Sequence, residues 1–310
     1  MKNFYNKFKK PFTALSPMAG YTDSPFRILC KRMGSAISVT EFVSTEAIKR
    51  NSEKTLKILR YEEIERPVVF QVFGTDSDTI AESCKKIETL KPDGIELNLG
   101  CSVKKIALKG AGAGLLREPD KVKKIISNMV KVLKVPVSAK IRLGWDLQSK
   151  NYLEIGFILE GEGASAVTLH ARTRSMGYGG KADWEAIGNL KRKISIPVFG
   201  NGDITSLNEA HEKIRIFNVD GVFIGRAAIG NPWIFSGKEI NKISYEQRLN
   251  LIIEHIHLSN LFYGKESGVI KFRKHLVKYL KNVPHAKKIK NDALKVTESD
   301  ELIYLLKEYN

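Results

Sequence analysis

The stretch Gly94-Ile-Glu-Leu-Asn-Leu-Gly-Cys-Ser-Val-Lys-Lys-Ile-Ala-Leu-Lys-Gly-Ala-Gly-Ala-Gly114 decides how the rest of the chain is read. Residues 94–97 read as a short buried strand that ends on Asn98, with Cys101 on the loop behind it. Lys104, Lys105 and Lys109 follow, then three alternating glycines. An amide, a thiol and a group of cations therefore stand where a strand hands over to a loop. In α/β proteins that is where chemistry is usually carried.

Seven similar runs lie around this one, at residues 12–16, 36–40, 68–72, 137–141, 166–170, 198–200 and 221–224. Between them lie segments with apolar residues at helical spacing, clearest at 79–90 and 120–133. Pro67, Pro136 and Pro197 each stand just before a strand, where a missing N–H costs no ladder bond. Eight alternating units predict a (β/α)8 TIM barrel. A doubly wound sheet is the competing layout. It would want a glycine-rich first turn, and Ser16-Pro17-Met18-Ala19-Gly20 is not one. The Gly110–Gly114 run neither directly follows a strand nor has the spacing of a dinucleotide fingerprint. After Asn231-Pro232-Trp233 the strand pattern stops, and helices are expected at 245–261, 269–280 and 299–309. The expected organisation is a catalytic barrel over 1–236 and a small all-helical domain over 237–310.

Composition limits the partners. The chain has 310 residues, enough for a full core, and its net charge is +17. Residues 101–145 alone carry 11 Lys+Arg against 2 Asp+Glu, and residues 1–10 add four lysines. Such an excess suits a polyanion such as nucleic acid, or equally a set of solvated helix faces. The lysines at 123, 124, 131 and 134 read as an outer helix face. Cys30, Cys84 and Cys101 are too few and too scattered for a disulfide framework or a zinc site. With no membrane-length apolar run and no signal-peptide core, a cytoplasmic protein is expected. His255, His257, His275 and His285 show no metal-ligand spacing and read as surface or domain-packing residues, and no metal is expected.

In a barrel the residues after each strand face the site. Here they are Pro17 and Met18, then Glu41, Gln71, Asn98 with Cys101, Lys140 with Arg142, His170 with Arg172, Asn201 with Asp203, and Gly225 with Arg226. So many hydrogen-bonding groups call for a polar, extended occupant, because each left unpaired in a core costs roughly 1–3 kcal/mol. The last two loops, Asn201-Gly202-Asp203 and Gly225-Arg226, occupy the usual phosphate position. A flat ring system carrying one phosphate fits, and FMN is such a group.

The motifs Leu15-Ser-Pro-Met-Ala-Gly-Tyr-Thr-Asp23, Gln71-Val-Phe-Gly74, Asn98-Leu-Gly-Cys101, Ala139-Lys-Ile-Arg142, His170-Ala-Arg-Thr173, Gly200-Asn-Gly-Asp203 and Ile224-Gly-Arg226 closely resemble the signature set of the tRNA-dihydrouridine synthases. They stand in that family's order over residues 11–235. The resemblance implies FMN in the barrel mouth, NADPH as reductant, and reduction of uridine C5=C6 in tRNA. It implies hydride transfer from flavin N5 to C6, with Cys101 as the acid that protonates C5. Pro17, Met18, Gln71, Lys140, His170, Asn201, Gly202, Asp203, Gly225 and Arg226 would bind FMN. Asn98 would lie by the uracil, and Lys104, Arg142 and Arg172 would face substrate or RNA. The helical segment would be an RNA-binding domain. One departure is Ser102, where the family commonly has a proline that stiffens the cysteine loop. Three alternatives remain at this stage: ribosomal RNA as substrate, a small-molecule FMN barrel of the dihydroorotate or dihydropyrimidine dehydrogenase kind, and a non-catalytic RNA-binding protein. The loop with Arg174, Tyr178 and Gly177-Tyr-Gly-Gly180 reads either as a lid or as an RNA-contacting edge.

Overall fold

The computed structural model describes residues 4–8 and 12–309; Lys2, Lys9 and Lys10 of the basic amino-terminal run lie outside them. Among the described residues nine strands are present: β1 Thr13–Leu15, β2 Ser38–Val39, β3 Val43–Ser44, β4 Val68–Phe73, β5 Gly94–Leu99, β6 Val137–Arg142, β7 Ala166–His170, β8 Val198–Asn201 and β9 Gly221–Ile224. All the pairs between them are parallel. β2 and β3 both pair with β4, through Val39 opposite Val69 and Val43 opposite Val72. The single second strand expected at 36–40 is thus two short pieces with one extra residue between them, a bulge that bends the strand. Pairing runs from β1 through β9 and back down to β2. The remaining gap is bridged by the Ala36 N–H to the Thr13 carbonyl and by the Leu15 N–H to Ser35 Oγ, each 2.9 Å. The result is a nearly closed (β/α)8 barrel.

The outward faces of the strands pack on surrounding helices, among them Ser77–Glu88, Pro119–Val132 and Trp184–Lys193. Aspartates cap several of these helices: Asp23, Asp76 and Asp183 each accept a first-turn N–H. The lysines at 123, 124, 131 and 134 are exposed, as expected of an outer face. The barrel floor is a separate apolar cluster of Tyr5, Phe12, Val39, Val69, Phe199 and Phe223. Above that floor the inward positions turn polar. Register sets Gln71 opposite Glu96, Asn98 opposite Lys140, Arg142 opposite His170, and His170 opposite Asn201. Alternation along each strand sends Ile95, Leu97 and Leu99 outward and Glu96 and Asn98 inward.

The carboxy-terminal segment is helical, with helices Tyr245–Tyr263, Lys265–Tyr279, Ala286–Ala293 and Ser299–Lys307. The third of these was not expected from the sequence. Their core takes in Leu29 and Trp233 from the barrel side, so the two parts share apolar surface. No helix among the described residues is long and apolar enough to cross a membrane.

Candidate active site

Cys101 follows β5 and is 9% exposed. Two contacts fix its backbone, a third fixes the residue before it, and one holds its sulfur. Asn98 Oδ1 accepts the Gly100 N–H at 3.0 Å and the Cys101 N–H at 2.8 Å. The Cys101 carbonyl accepts the Ala113 N–H at 3.2 Å. Burial pushes the thiol up from its ordinary pKa, against the pull of the Val103 N–H on the sulfur and of the Arg142 charge. The thiol is therefore protonated at neutral pH.

The glycine run that is no dinucleotide fingerprint has its explanation here. Gly112 has φ +56°, and a Cβ on it would lie 2.9 Å from Cys101 Cβ; a Cβ on Gly114 would lie 2.3 Å from the Ala107 carbonyl oxygen. These glycines let the next segment close against the cysteine loop. That packing and the Val103 contact hold the loop in which Ser102 stands in place of proline.

Asn98 and Gln71 are buried, and the Asn98 amide donates to Gln71 Oε1 at 2.8 Å. Gln71 in turn donates to Glu96 Oε1 at 2.6 Å. Glu96, only 3% exposed, is a member of the site that the strand-end reading passed over. Its signal in the sequence is an acid one alternation before Asn98 in an otherwise apolar strand. Lys140 donates to Asn201 Oδ1 at 3.0 Å, and Asn201 anchors itself on the Phe223 carbonyl at 2.8 Å. Burial lowers the Lys140 pKa and raises that of Glu96, while each one's charge favours ionisation of the other. Burial, then the charges of Lys140, Arg142, Arg172 and Arg226, drives the His170 pKa far down, so its imidazole is neutral.

The two arginines expected to face substrate or RNA are buried and bound to backbone carbonyls. Arg142 and Arg172 are 2% and 1% exposed. Arg142 donates to the carbonyls of Gly100, Thr173 and Gly177 at 2.8–2.9 Å. Arg172 donates to the Gly179 and Gly180 carbonyls and to both oxygens of Asp203. A guanidinium offers five donors in a planar fork, which suits it to gathering carbonyls. The two arginines tie down the 173–180 loop, whose free motion as a lid they oppose. Arg174 of this loop stacks 4.4 Å over Trp145. Tyr178 is 59% exposed and lies under Arg226 at 4.6 Å.

Asp203 binds Arg172, the Ala182 N–H at 2.8 Å and Arg226 at 3.3 Å. Burial would raise its carboxyl, but those bonds and charges hold it below the usual carboxylate range. As a carboxylate it orients Arg226. Gly202 (φ +137°) carries the carbonyl that accepts Trp184 Nε1 at 3.0 Å. Pro17 and Met18 are half-buried after β1, and Met18 Sδ lies 3.7 Å from where a Gly225 Cβ would be. Lys104, Lys105 and Lys109 are exposed around the cysteine loop, beside exposed Val103 and Leu108.

The family model for dihydrouridine synthases matches residues 14–309. The chain belongs to the dihydrouridine synthase family. That family is one of flavin-dependent oxidoreductases. Similar proteins include tRNA-dihydrouridine synthase B of Pseudomonas aeruginosa, 37% identical over 294 residues that cover 92% of this chain and 89% of that one. A probable tRNA-dihydrouridine synthase of Aquifex aeolicus is 35% identical over 309 residues, 97% of this chain and 96% of that one. Solved structures with the same barrel include histamine dehydrogenase from Rhizobium sp. 4-9, with TM-score 0.54 and 13% identity over 80% of this chain and 48% of that one. Another is 2-naphthoyl-CoA reductase in complex with 2-naphthoyl-CoA, with TM-score 0.57 and 10% identity over 72% of this chain and 48% of that one.

A second polar group lies between the barrel and the helices of this synthase. Sequence spacing showed no metal arrangement among the histidines, but folding brings His255 and His275 to Asp23, with candidate ligand atoms within 4.8 Å of one another. His257 and His285 are exposed. Asp23 is already engaged: Oδ1 caps the Phe26 N–H at 3.2 Å, and Oδ2 accepts Tyr263 Oη at 2.8 Å with the Lys274 ammonium 3.7 Å away. That ammonium opposes a cation, and the group reads as a tie between the two parts. Cys30 and Cys84 are buried free thiols in the core.

Proposed function

We propose that this synthase reduces the C5=C6 bond of uridines in tRNA to 5,6-dihydrouridine, with FMN as its flavin and NADPH as reductant. The observation that carries the reading is Cys101: a thiol kept protonated by burial, fixed at a barrel strand end beside Asn98 and above Lys140. Relatives that cover nearly the whole chain are named as tRNA-dihydrouridine synthases, which supports tRNA as substrate.

The residues fit FMN by their chemistry. The mouth offers the Lys140 ammonium, the Gln71 and Asn201 amides, the neutral His170 ring and the Arg226 guanidinium, donors suited to ring carbonyls and a phosphate. Pro17, Met18, Gly202 and Gly225 would line the same pocket. When bound, FMN supplies the hydride that goes to uracil C6. Lys140, held by Asn201, would supply positive charge to the electron-rich ring system of the bound flavin. Asn98 has one amide hydrogen beyond its bond to Gln71 and can direct it at the base. Cys101 gives its proton to C5, and burial keeps the thiol loaded for that step. The base has to leave its stack to reach this depth. Lys104, Lys105 and Lys109 would hold phosphates around the extruded nucleotide, together with the basic helical domain over residues 237–310.

The test is to map dihydrouridine by mass spectrometry of nuclease fragments of RNA from cells with and without the gene. Loss at defined tRNA positions is the expected result. Loss confined to ribosomal RNA would keep the chemistry and replace the substrate. Unchanged RNA, in cells that hold no second such enzyme, together with turnover of free uracil by the purified protein, would overturn the reading.

A further inference from the structure

The hydrogen-bond chain from Glu96 to Cys101 has a direction. Side-chain amides present an oxygen and a nitrogen of nearly equal size, so their orientation follows from their partners. A carboxylate only accepts. Facing Glu96 Oε1 at 2.6 Å, Gln71 has to present its NH2. Its oxygen then faces Asn98 and takes the Asn98 NH2 at 2.8 Å. That leaves Asn98 Oδ1 pointing at the loop, where it accepts two backbone N–H groups, at 3.0 and 2.8 Å. Reversing Asn98 would set donor against donor at Gly100 and Cys101, and reversing Gln71 would set acceptor against acceptor at Glu96 and donor against donor at Asn98. Gln71, Glu96 and Asn98 are 0%, 3% and 6% exposed, so water is poorly placed to repair such a reversal.

We propose that Glu96 is a positioning residue for Cys101, its carboxylate fixing the orientation of the Gln71 and Asn98 amides and through them the loop that carries the thiol. The role of the thiol rests on the function proposed above; the positioning of the loop does not. Glu96 is placed for this task by register, opposite Gln71 on β4 and two residues before Asn98 on β5. Burial pushes the Glu96 pKa up to about 7, against the Gln71 hydrogen bond and the Lys140 charge, so the carboxylate that can only accept is the form held above that pH, where the comparison below is made.

The polarity argument predicts a specific rescue. In Glu96→Gln the residue at 96 can face Gln71 with either atom, and the direction of the chain is lost. In the double variant Gln71→Glu with Glu96→Gln the carboxylate moves one link along. It again only accepts, from the new amide at position 96 on one side and from Asn98 on the other, so Asn98 Oδ1 again faces the loop.

The readout is the rate of Cys101 alkylation by iodoacetamide, followed by peptide mass spectrometry; Cys30 and Cys84 are 0% exposed and serve as internal controls. Glu96→Gln is expected to alkylate at Cys101 about fivefold faster or more, with the double variant back to within about twofold of the unaltered protein. For uridine reduction by Glu96→Gln, we expect kcat to fall about tenfold and KM for RNA to stay within about twofold. Glu96→Asp, which draws the acceptor back by one methylene, is expected to show the same faster alkylation and serves should Glu96→Gln not fold. An unchanged alkylation rate in the folded single variant, or no recovery in the double variant, overturns the inference whatever the activity. An unaltered protein that reduces no uridine overturns the function proposed above and leaves the alkylation comparison intact.

Discussion

At the scale of single residues, the cysteine and the glycine beneath it carry the sharpest expectations. A general acid works only while protonated, and burial raises the Cys101 thiol above its ordinary pKa. Uridine reduction should therefore persist as pH passes the ordinary thiol range near about 8.5, and fall only beyond it. Single-turnover rates from about pH 6 to pH 10 would check this. Cys101→Ser should lower that rate by about 10²-fold or more while flavin content stays unchanged, as measured by flavin absorbance. Gly112→Ala meets a positive φ and a 2.9 Å approach to Cys101 Cβ. It should cost about 1–3 kcal/mol in urea unfolding and, on the function proposed above, impair turnover as well, because the displaced neighbour is the Cys101 loop. The sequence showed the cysteine but not the reason for the glycines, since their partner is met only after the loop closes.

At the scale of elements, β6 and the loop after β7 act together. The family resemblance implied that Arg142 and Arg172 face substrate or RNA. The fold instead supplies unsatisfied carbonyls at Gly100, Thr173, Gly177, Gly179 and Gly180, and each guanidinium turns to them. Arg142 thereby joins the residue before Cys101 to the 173–180 loop. Removing its donors would leave those carbonyls without that partner. Arg142→Gln should speed tryptic cleavage after Arg174 about tenfold, read by timed digestion and mass spectrometry, with Cys101 becoming more reactive alongside. No effect on either would show that the loop is held by its own turns.

For the whole molecule, the helical part is fastened to the barrel through Asp23, Tyr263, His255 and His275 and the shared core around Leu29 and Trp233. Burial comes first among the causes that lower both histidines, with His275 lowered to about 3. In the unfolded chain these imidazoles take up protons near about pH 6.5, whereas in the folded chain they do not. The unfolded state thus binds more protons in this window, and stability falls as pH drops from about 6.5 toward 3, by about 1.4 kcal/mol per unit for each histidine. Urea midpoints at successive pH values would check this, and His275→Leu should give a shallower slope.

What the sequence determined by itself is local and periodic. Alternating strand and helix units specify the barrel, because burial of one face is written into residue spacing. Strand ends specify the candidate site, because a barrel puts all of them at one mouth. Pro17, Gln71, Asn98, Cys101, Lys140, His170 and Asn201 were all legible in this way. Pairings between distant residues were decided only by the tertiary structure. The split of the second strand depends on its register with β4. The Glu96–Gln71–Asn98 chain depends on two strands lying side by side. The tie at Asp23 joins residues more than two hundred positions apart along the chain. A hydrogen bond between distant side chains leaves no period in a sequence. It exists because folding withdraws water from both partners, after which each has to find the other.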